Sequence, residues 1–587
     1  MSKEIIKSSN ETNVMRRSEV KKAKSRLSTE VPEADNVRFV ALGGLEEIGR
    51  NMMFLEYKDE ILVVDAGIQF PSEETPGIDY IIPNTSYLEL VKDRIQGLII
   101  THGHQDHIGA IPYILDKLGN PVIYTTKFTK EMIMSMVEEE PSCPNPKFDL
   151  VESGDSRKIS KNFTANFFEV SHNVPEGVGF LLDTPVGNIV HPGEFKLDRD
   201  KDGNAKNLEI WEKLGEKDIH TLMLDSTASG VPGKSVSEET VKEELTKLFE
   251  KAEGRIIVGT FSSLIDRLSE IIDIAEEMGK VVAISGYSMK QNIEIAKRLG
   301  FIDTEKGTLI PMEEIHKYDD DKVMVLCTGA QGEERASLMR MARREHRNID
   351  LKESDTIIFS SSVVPGNEMS VQNLKDDLAR QGVTIYDYNM LDIHSSGHAP
   401  QEDLKTVMEL VKPKNFLPIH GYYFMRWKNA QLAKETLGIS QDNIILTDNG
   451  RVVELKRDSV EVTDETVPSS YVLVDGAGVG DIGEVVLRDR KVLSESGMVV
   501  IIATISKKDS KILKSPDIIS RGFVYLRENK DLLNDIRDKI RKIIRGISKG
   551  GSLDIDYTKS AIRKQVGRFL NRRTDRSPMV LPVIIEV

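Results

Sequence analysis

The segment Thr101-His102-Gly103-His104-Gln105-Asp106-His107, directly after the apolar run Gly97-Leu98-Ile99-Ile100, constrains this chain more than any other feature. Four ligand-type side chains crowd the turn that leaves a strand expected to be buried. Imidazole and carboxylate are ligands of zinc and manganese. A pair of such cations about 3.5–4 Å apart needs six or more protein ligands converging on one edge. The rest of the chain must therefore build a sheet whose strand ends meet. Thiolates cannot help: Cys143 and Cys327 are the only cysteines, too few for a disulfide framework and without the paired spacing of a thiolate site.

At 587 residues the chain is too long for one core and implies two to four domains. Residues 1–36 are polar and basic, with eight Lys/Arg against four Glu up to position 30, and read as a flexible arm. From Val37 short β-branched runs such as VRFVALGG, EILVVDAG and PVIYTT alternate with helical patterns, giving an α/β unit over 37–232. A more regular strand–helix alternation over 233–386 forms a second α/β unit. Strands and helices of the first type resume at 387–455. The polar stretch 456–470 reads as a linker, and 471–587 as a small α+β C-terminal domain with expected strands VVLRD, MVVIIATIS and VLPVIIEV around a basic helix. No apolar run approaches the ~20 residues of a membrane span, and no secretory signal opens the chain, so a cytoplasmic protein without membrane contact is expected.

The metal-type motif, with Asp65 in LVVDAG, resembles the metallo-β-lactamase superfamily, and further ligand positions follow by their own signatures. His172 (EVSHN) and His420 (PIHG) each end an expected strand. In the superfamily an Asp bridges the two ions after a glycine, whereas here the matching stretch His191-Pro192-Gly193-Glu194 places Glu194 at that position. The resemblance implies two divalent ions, Zn²⁺ first and Mn²⁺ or Mg²⁺ as alternatives. His102, His104 and His172 would hold one, Asp106, His107 and His420 the other, and Glu194 would bridge. Asp65 would orient a ligand His by accepting its other N–H. His191, His220, His316 and His346 match no motif and read as solvated surface residues.

His420 lies far beyond Glu194 in sequence, so the second α/β unit is inserted within the metal-type domain. That arrangement, with His394-Ser395-Ser396-Gly397-His398-Ala399 before PIHG, resembles the β-CASP nucleases, and within them the ribonuclease J family, from about residue 37 onward. Supporting segments are ALGGLEEIGRNM (41–52), LDSTASG (224–230), CTGAQGE (327–333) and KPKNFLPIHG (412–421). The implied fold is a metallo-β-lactamase αββα sandwich interrupted by an α/β β-CASP domain, plus the C-terminal domain. The implied activity is 5′→3′ exonuclease and endonuclease action in rRNA maturation and mRNA decay, by two-metal phosphodiester hydrolysis. Preferred substrate would be 5′-monophosphorylated single-stranded RNA, and the assembly a homodimer, a tetramer or a hetero-oligomer with a paralogue.

By the same resemblance His394, Ser396, Gly397 and His398 touch substrate phosphates and Ser263 faces the 5′ end. Small residues let backbone N–H groups approach an anion, which suits this loop to phosphate. Asp106, Glu194 and His398 are the expected catalytic residues, His398 protonating the leaving 3′-oxygen or stabilising the phosphorane. Several positions depart from the family pattern: Leu264, Asp266, Tyr287, Tyr422 and Phe424 stand where polar or charged residues are usual. They leave room for a weakly active paralogue that mainly serves another ribonuclease J subunit. The formal charge of −15 speaks against a protein that coats nucleic acid by bulk attraction.

Overall fold

The computed structural model describes residues 29–71, 75–364, 366–476, 478–480, 482–524, 529–548 and 554–587, so most of the expected basic arm lies outside the described residues. The described chain divides into two units, one of residues 29–70 with Ile81–Val472, the other of Leu473–Val587 with Pro71–Tyr80.

In the larger unit the β-branched runs pair into two sheets. An eight-stranded sheet centres on Val37–Gly43, Met52–Tyr57, Glu60–Val64 and Ile95–Ile99, and a six-stranded sheet on Thr164–Glu169, Val178–Thr184, Gly187–His191 and Ile219–Asp225. Their inner faces share one core, in which Phe39, Leu55 and Leu62 of the first meet Phe163, Phe180 and Ile189 of the second. The outer face of the second sheet is covered by helices. Gln401–Val411 turns Leu404, Val407, Met408 and Val411 inward at the i, i+3, i+4, i+7 spacing of one helical face, and Trp211, Ala430 and Ala433 complete that layer. The last strand of this sheet, Asn415–Ile419, pairs in parallel with Ile219–Asp225 although nearly 200 residues separate them. The insertion between them is a six-stranded, wholly parallel sheet whose central strands Ile256–Gly259 and Val323–Cys327 are buried on both faces, as expected of a sheet flanked by helices.

Three expectations need correction. The stretch 456–470 contains the strand Ser459–Thr466, which forms a hairpin with Arg451–Lys456 at the rim of the eight-stranded sheet. Val460 and Val462 alternate with charged residues there, and a highly charged edge strand resists pairing with other chains while resembling a linker in composition. VVLRD is not a strand but part of the helix Glu484–Ser496. His191 and His220 are buried rather than solvated. The His191 ring stacks on Phe180. His220 Nε2 lies 2.6 Å from the Lys456 carbonyl.

In the smaller unit, Met498–Ile505 pairs with Asp517–Arg521 and with Met579–Glu586. Its residues alternate between buried and half-buried, and the buried side packs on Lys530–Ser548 and Ile555–Thr574 through Ile536, Ile540, Ile544, Ile562 and Val566. Pro71–Tyr80 joins this unit, Asp79 N–H donating to the Val474 carbonyl at 2.9 Å. Among the described residues no helix is long and apolar enough to cross a membrane.

Candidate metal centre

Each expected ligand stands where a strand of the sandwich ends. Asp65 follows Glu60–Val64, the His102–His107 turn follows Ile95–Ile99, His172 follows Thr164–Glu169, Glu194 follows Gly187–His191, and His420 follows Asn415–Ile419. Strand ends on one edge are the only places in such a fold where side chains distant in sequence converge without disturbing the core. Asp65 and His420 both adopt left-handed backbone, φ 58° and 50°. That conformation costs a non-glycine residue about 1–3 kcal/mol and is held by the packing around it.

The donor atoms form two sets. His102 Nε2 and His172 Nε2 lie 3.0 and 3.1 Å from His104 Nδ1. Glu194 Oε2 lies 3.1 Å from His172 Nε2 and 3.5 Å from His102 Nε2. In the second set Glu194 Oε1 lies 2.8 Å from both His107 Nε2 and His420 Nε2, each of which is 3.6 Å from Asp106 Oδ2. Glu194 thus offers one carboxylate oxygen to each set. Its longer side chain follows Gly193, whose φ of 68° turns the backbone.

Neighbours lock these rings. Asp65 Oδ2 accepts from His107 Nδ1 at 2.8 Å, and Gly397 O accepts from His172 Nδ1 at 2.7 Å. Either bond presents the ring's Nε2 as the ligating atom. A Cβ on Gly397 would meet His172 Cε1 at 2.6 Å, so this position of the HSSGHA loop requires glycine. The residues sequence reading left without a role are Asp225, Asn51 and Thr227. Asp225 Oδ2 lies 2.6 Å from His398 Nδ1, and its Oδ1 lies 3.2 Å from His420 Nδ1. Asn51 Nδ2 reaches Asp106 Oδ2 at 3.2 Å, and Thr227 Oγ1 reaches His420 Nδ1 at 2.7 Å. Both Asn51 and Asp225 lie within segments whose family resemblance is visible, GRNM and LDSTASG. An acidic residue after a strand is too common to be singled out without its partner.

Electrostatics separates the two sets. Burial pulls His102 down to about 4, helped by His107. His104 is likewise held well below the usual range by burial and by His102 and His172. These rings are neutral donors at pH 7. Burial also opposes charge on His107 and His420, but Glu194 and the other carboxylates outweigh it and hold both well above the usual range. Asp106, Glu194 and Asp225 all stay ionised, their burial overcome by the surrounding imidazoles. The second set therefore demands positive charge, and His420 Nε2, though 2.8 Å from Glu194 Oε1, is buried and not aligned to hydrogen-bond with it. Neutral imidazoles beside an ionised bridging carboxylate are a donor chemistry that divalent cations satisfy.

The other expected residues spread around this centre. Ser263 Oγ, brought in by the inserted domain, lies 3.0 Å from His104 Nε2. His398 Nε2 stands 4.0 Å from Glu194 Oε2. Ser396 is exposed, its Oγ accepting from the His398 N–H at 3.2 Å. His394 is buried beside Tyr388 and outside both donor sets, its Nδ1 unpaired and its pKa pulled down to about 3 by burial and Arg267. Tyr287, Tyr422 and Phe424 are exposed, and Leu264 is buried.

An αββα sandwich carrying such donor sets at its strand ends, with a parallel α/β domain inserted before the last of them, defines a metallo-hydrolase of the metallo-β-lactamase superfamily. Residues 45–219 match the model of that superfamily, and residues 389–445 that of a Zn-dependent metallo-hydrolase RNA specificity domain. Residues 253–378 match the ribonuclease J β-CASP domain and 485–587 the ribonuclease J C-terminal domain. The chain is 39% identical to ribonuclease J 1 of Streptococcus pyogenes over 94% of its own length and 98% of that protein. It is 35% identical to ribonuclease J2 of Bacillus subtilis over 94% and 99%, and 34% identical to ribonuclease J 2 of Staphylococcus epidermidis over 94% and 98%. The chain belongs to the ribonuclease J family. A crystal structure of a protein of unknown function from Enterococcus faecalis V583 shares the fold, with TM-score 0.50 and 17% identity over 71% of this chain and all of that one.

Proposed function

We propose that this chain is a metal-dependent ribonuclease, acting both as a 5′→3′ exonuclease and as an endonuclease in rRNA maturation and mRNA decay in the cytoplasm. The observation that carries the reading is Glu194, one oxygen in each donor set, with the His398–Asp225 pair beside it. His102, His104 and His172 would hold one divalent ion and Asp106, His107 and His420 the other, zinc being the best match to an imidazole-rich set. Bound there, the ions supply Lewis-acid stabilisation of charge on a phosphodiester undergoing hydrolysis.

The protein's own part is positioning and proton transfer. Asp225 holds the His398 ring with its proton on Nδ1 and favours the imidazolium, against the burial that opposes it. Nε2 is then the donor available to a departing 3′-oxygen. The backbone of Ser396–His398 and the Ser263 hydroxyl line the approach and orient the phosphate chain. Oligomers of this chain, alone or with a paralogue, are part of the proposal by family membership.

The test is degradation of a single-stranded RNA with Mn²⁺, Mg²⁺ and Zn²⁺, beside a His102→Ala/His104→Ala variant. Metal-dependent cleavage by the parent and its loss in the variant are expected. Equal rates would sink the assignment. Glu194 in place of the family's Asp favours one second reading, a weakly active subunit serving a paralogue, and turnover of the isolated chain separates the two.

A further inference from the structure

The helix Tyr423–Leu437 begins three residues after the ligand His420 and lies within the segment 389–445 that matches the RNA specificity domain. Its inner face is already used. Ala430 and Ala433 are buried in the core over the six-stranded sheet, and the buried Arg426 donates through Nη1 to the Thr447 carbonyl at 2.5 Å. The other face of its first turns carries Phe424, Trp427 and Lys428, which share one side of the helix at i, i+3, i+4 spacing. Phe424 is 63% exposed and Trp427 38%, so these rings add little to the core.

The two rings stack on each other, with centroids 6.1 Å apart and planes 22° from parallel. The Lys428 ammonium stands 5.8 Å from the centre of the Phe424 ring and 5.7 Å from that of Trp427. The ring quadrupoles hold it there. Among the described residues Lys428 pairs with no carboxylate, which leaves its charge open to an anion. Tyr422, nearer the metal centre, instead has Glu47 and Glu368 as charged neighbours. The four residues from His420 to Phe424 span at most about 14 Å, so whatever stacks on these rings lies close to the donor sets.

We propose that Phe424 and Trp427 form a base-stacking platform for single-stranded RNA, with Lys428 receiving an adjoining phosphate, on the His420 side of the metal centre. Every nucleobase has a π face, so such a platform grips a strand without reading its sequence, and the cation beside it complements the phosphate chain. Phe424 stands where a polar or charged residue is usual in the family, and the chain thereby exchanges a polar contact for a stacking one. On the ribonuclease reading above, on which this proposal rests, these side chains bind the strand and take no part in breaking the bond.

Trp427 is its own reporter, since the chain has two tryptophans and the other, Trp211, is buried. The experiment titrates a labelled single-stranded oligoribonucleotide into the full-length His398→Ala protein with metal present, following label anisotropy and tryptophan emission together. Emission should be quenched in step with binding. Adding Phe424→Ala/Trp427→Ala should weaken binding by at least about fivefold, and Phe424→Tyr/Trp427→Phe, which keeps the rings, should stay near the starting affinity. An abasic chain of the same length should bind both proteins equally. In the protein with His398 intact, the alanine pair should act on KM rather than kcat. RNA that binds without quenching, or an alanine pair that binds within twofold, overturns the proposal. So does an alanine pair that changes the sedimenting mass while binding RNA unchanged, which assigns the patch to a second copy of the chain. A parent that cleaves RNA while Trp427 stays silent loses the platform alone, whereas one that neither binds nor cleaves RNA loses the ribonuclease reading with it.

Discussion

Asp225→Asn should separate proton transfer from metal binding. In the parent, Asp225 Oδ2 lies 2.6 Å from His398 Nδ1, and the carboxylate raises the imidazole's affinity for its proton against the burial of the ring. Asparagine keeps the shape and removes the charge, so burial prevails and His398 loses its donor form. Its side-chain oxygen can still accept from Nδ1–H, which fixes the neutral ring in the tautomer that presents a lone pair, not a proton, at Nε2. Positioned acid–base groups contribute about 10²–10⁴-fold in rate, or ~2.7–5.5 kcal/mol, and the loss in kcat should fall in that range. Asp225 Oδ1 also supports His420 at 3.2 Å, so one equivalent of metal should bind about 10–100-fold more weakly. The assay is single-turnover cleavage of end-labelled RNA at saturating metal, with metal affinity measured by titration. His398→Ala is the control: the same loss of rate, with metal affinity intact. The reasoning is refuted if Asp225→Asn cleaves within about threefold of the parent at saturating metal while His398→Ala is severely impaired.

Gly397→Ala forces a methyl group into the His172 ring and breaks its Nδ1 contact, so metal affinity should fall by about tenfold or more with the circular-dichroism spectrum unchanged. Glu270 is pushed up to about 7 by burial, with Glu238 and Asp266 adding to the effect and Arg267 opposing it. Since its folded pKa lies above the unfolded value, the stability it lends at low pH is lost as pH rises from about 4.5 through about 7. Glu270→Gln should therefore be more stable than the parent at pH 8, by roughly 1 kcal/mol for a side chain partly open to solvent, and no more stable at pH 4.5; thermal melts at both pH values check the sign. Ile540→Ala empties a fully buried site between the helix Lys530–Ser548 and the C-terminal sheet, and should cost about 2–5 kcal/mol in denaturant unfolding of that unit.

Much of the centre was legible because its ligands cluster by type: four within the turn after one strand, and single histidines ending others. Glu194, which belongs to both donor sets, could be placed by the glycine before it. What remained hidden were relationships across long sequence distances. The Asp225–His398 pair joins residues 173 apart, and the bond from His172 to the Gly397 carbonyl spans 225. Neither leaves a local periodicity. The strand Ser459–Thr466 was masked because it lies at the sheet rim, where Val460 alone packs against the core and the charged residues around it read as a linker. His191 and His220 were misread for the opposite reason: a buried histidine whose ring stacks on a core aromatic or bonds to a backbone carbonyl has no signature in sequence.

The late return of the chain to its first sheet has a consequence for biosynthesis. Asp65 and His420 are 355 residues apart, and the strand that carries His420 docks only after the whole insertion has been made. At synthesis rates of about 5–20 residues per second, roughly 20–70 s pass between the first and last elements of the centre. Throughout that time the nascent chain holds only a partial ligand set while tethered, through the ribosome, to the RNA that encodes it. The split architecture thus delays assembly of the complete donor set until the segment that carries His420 has been synthesised.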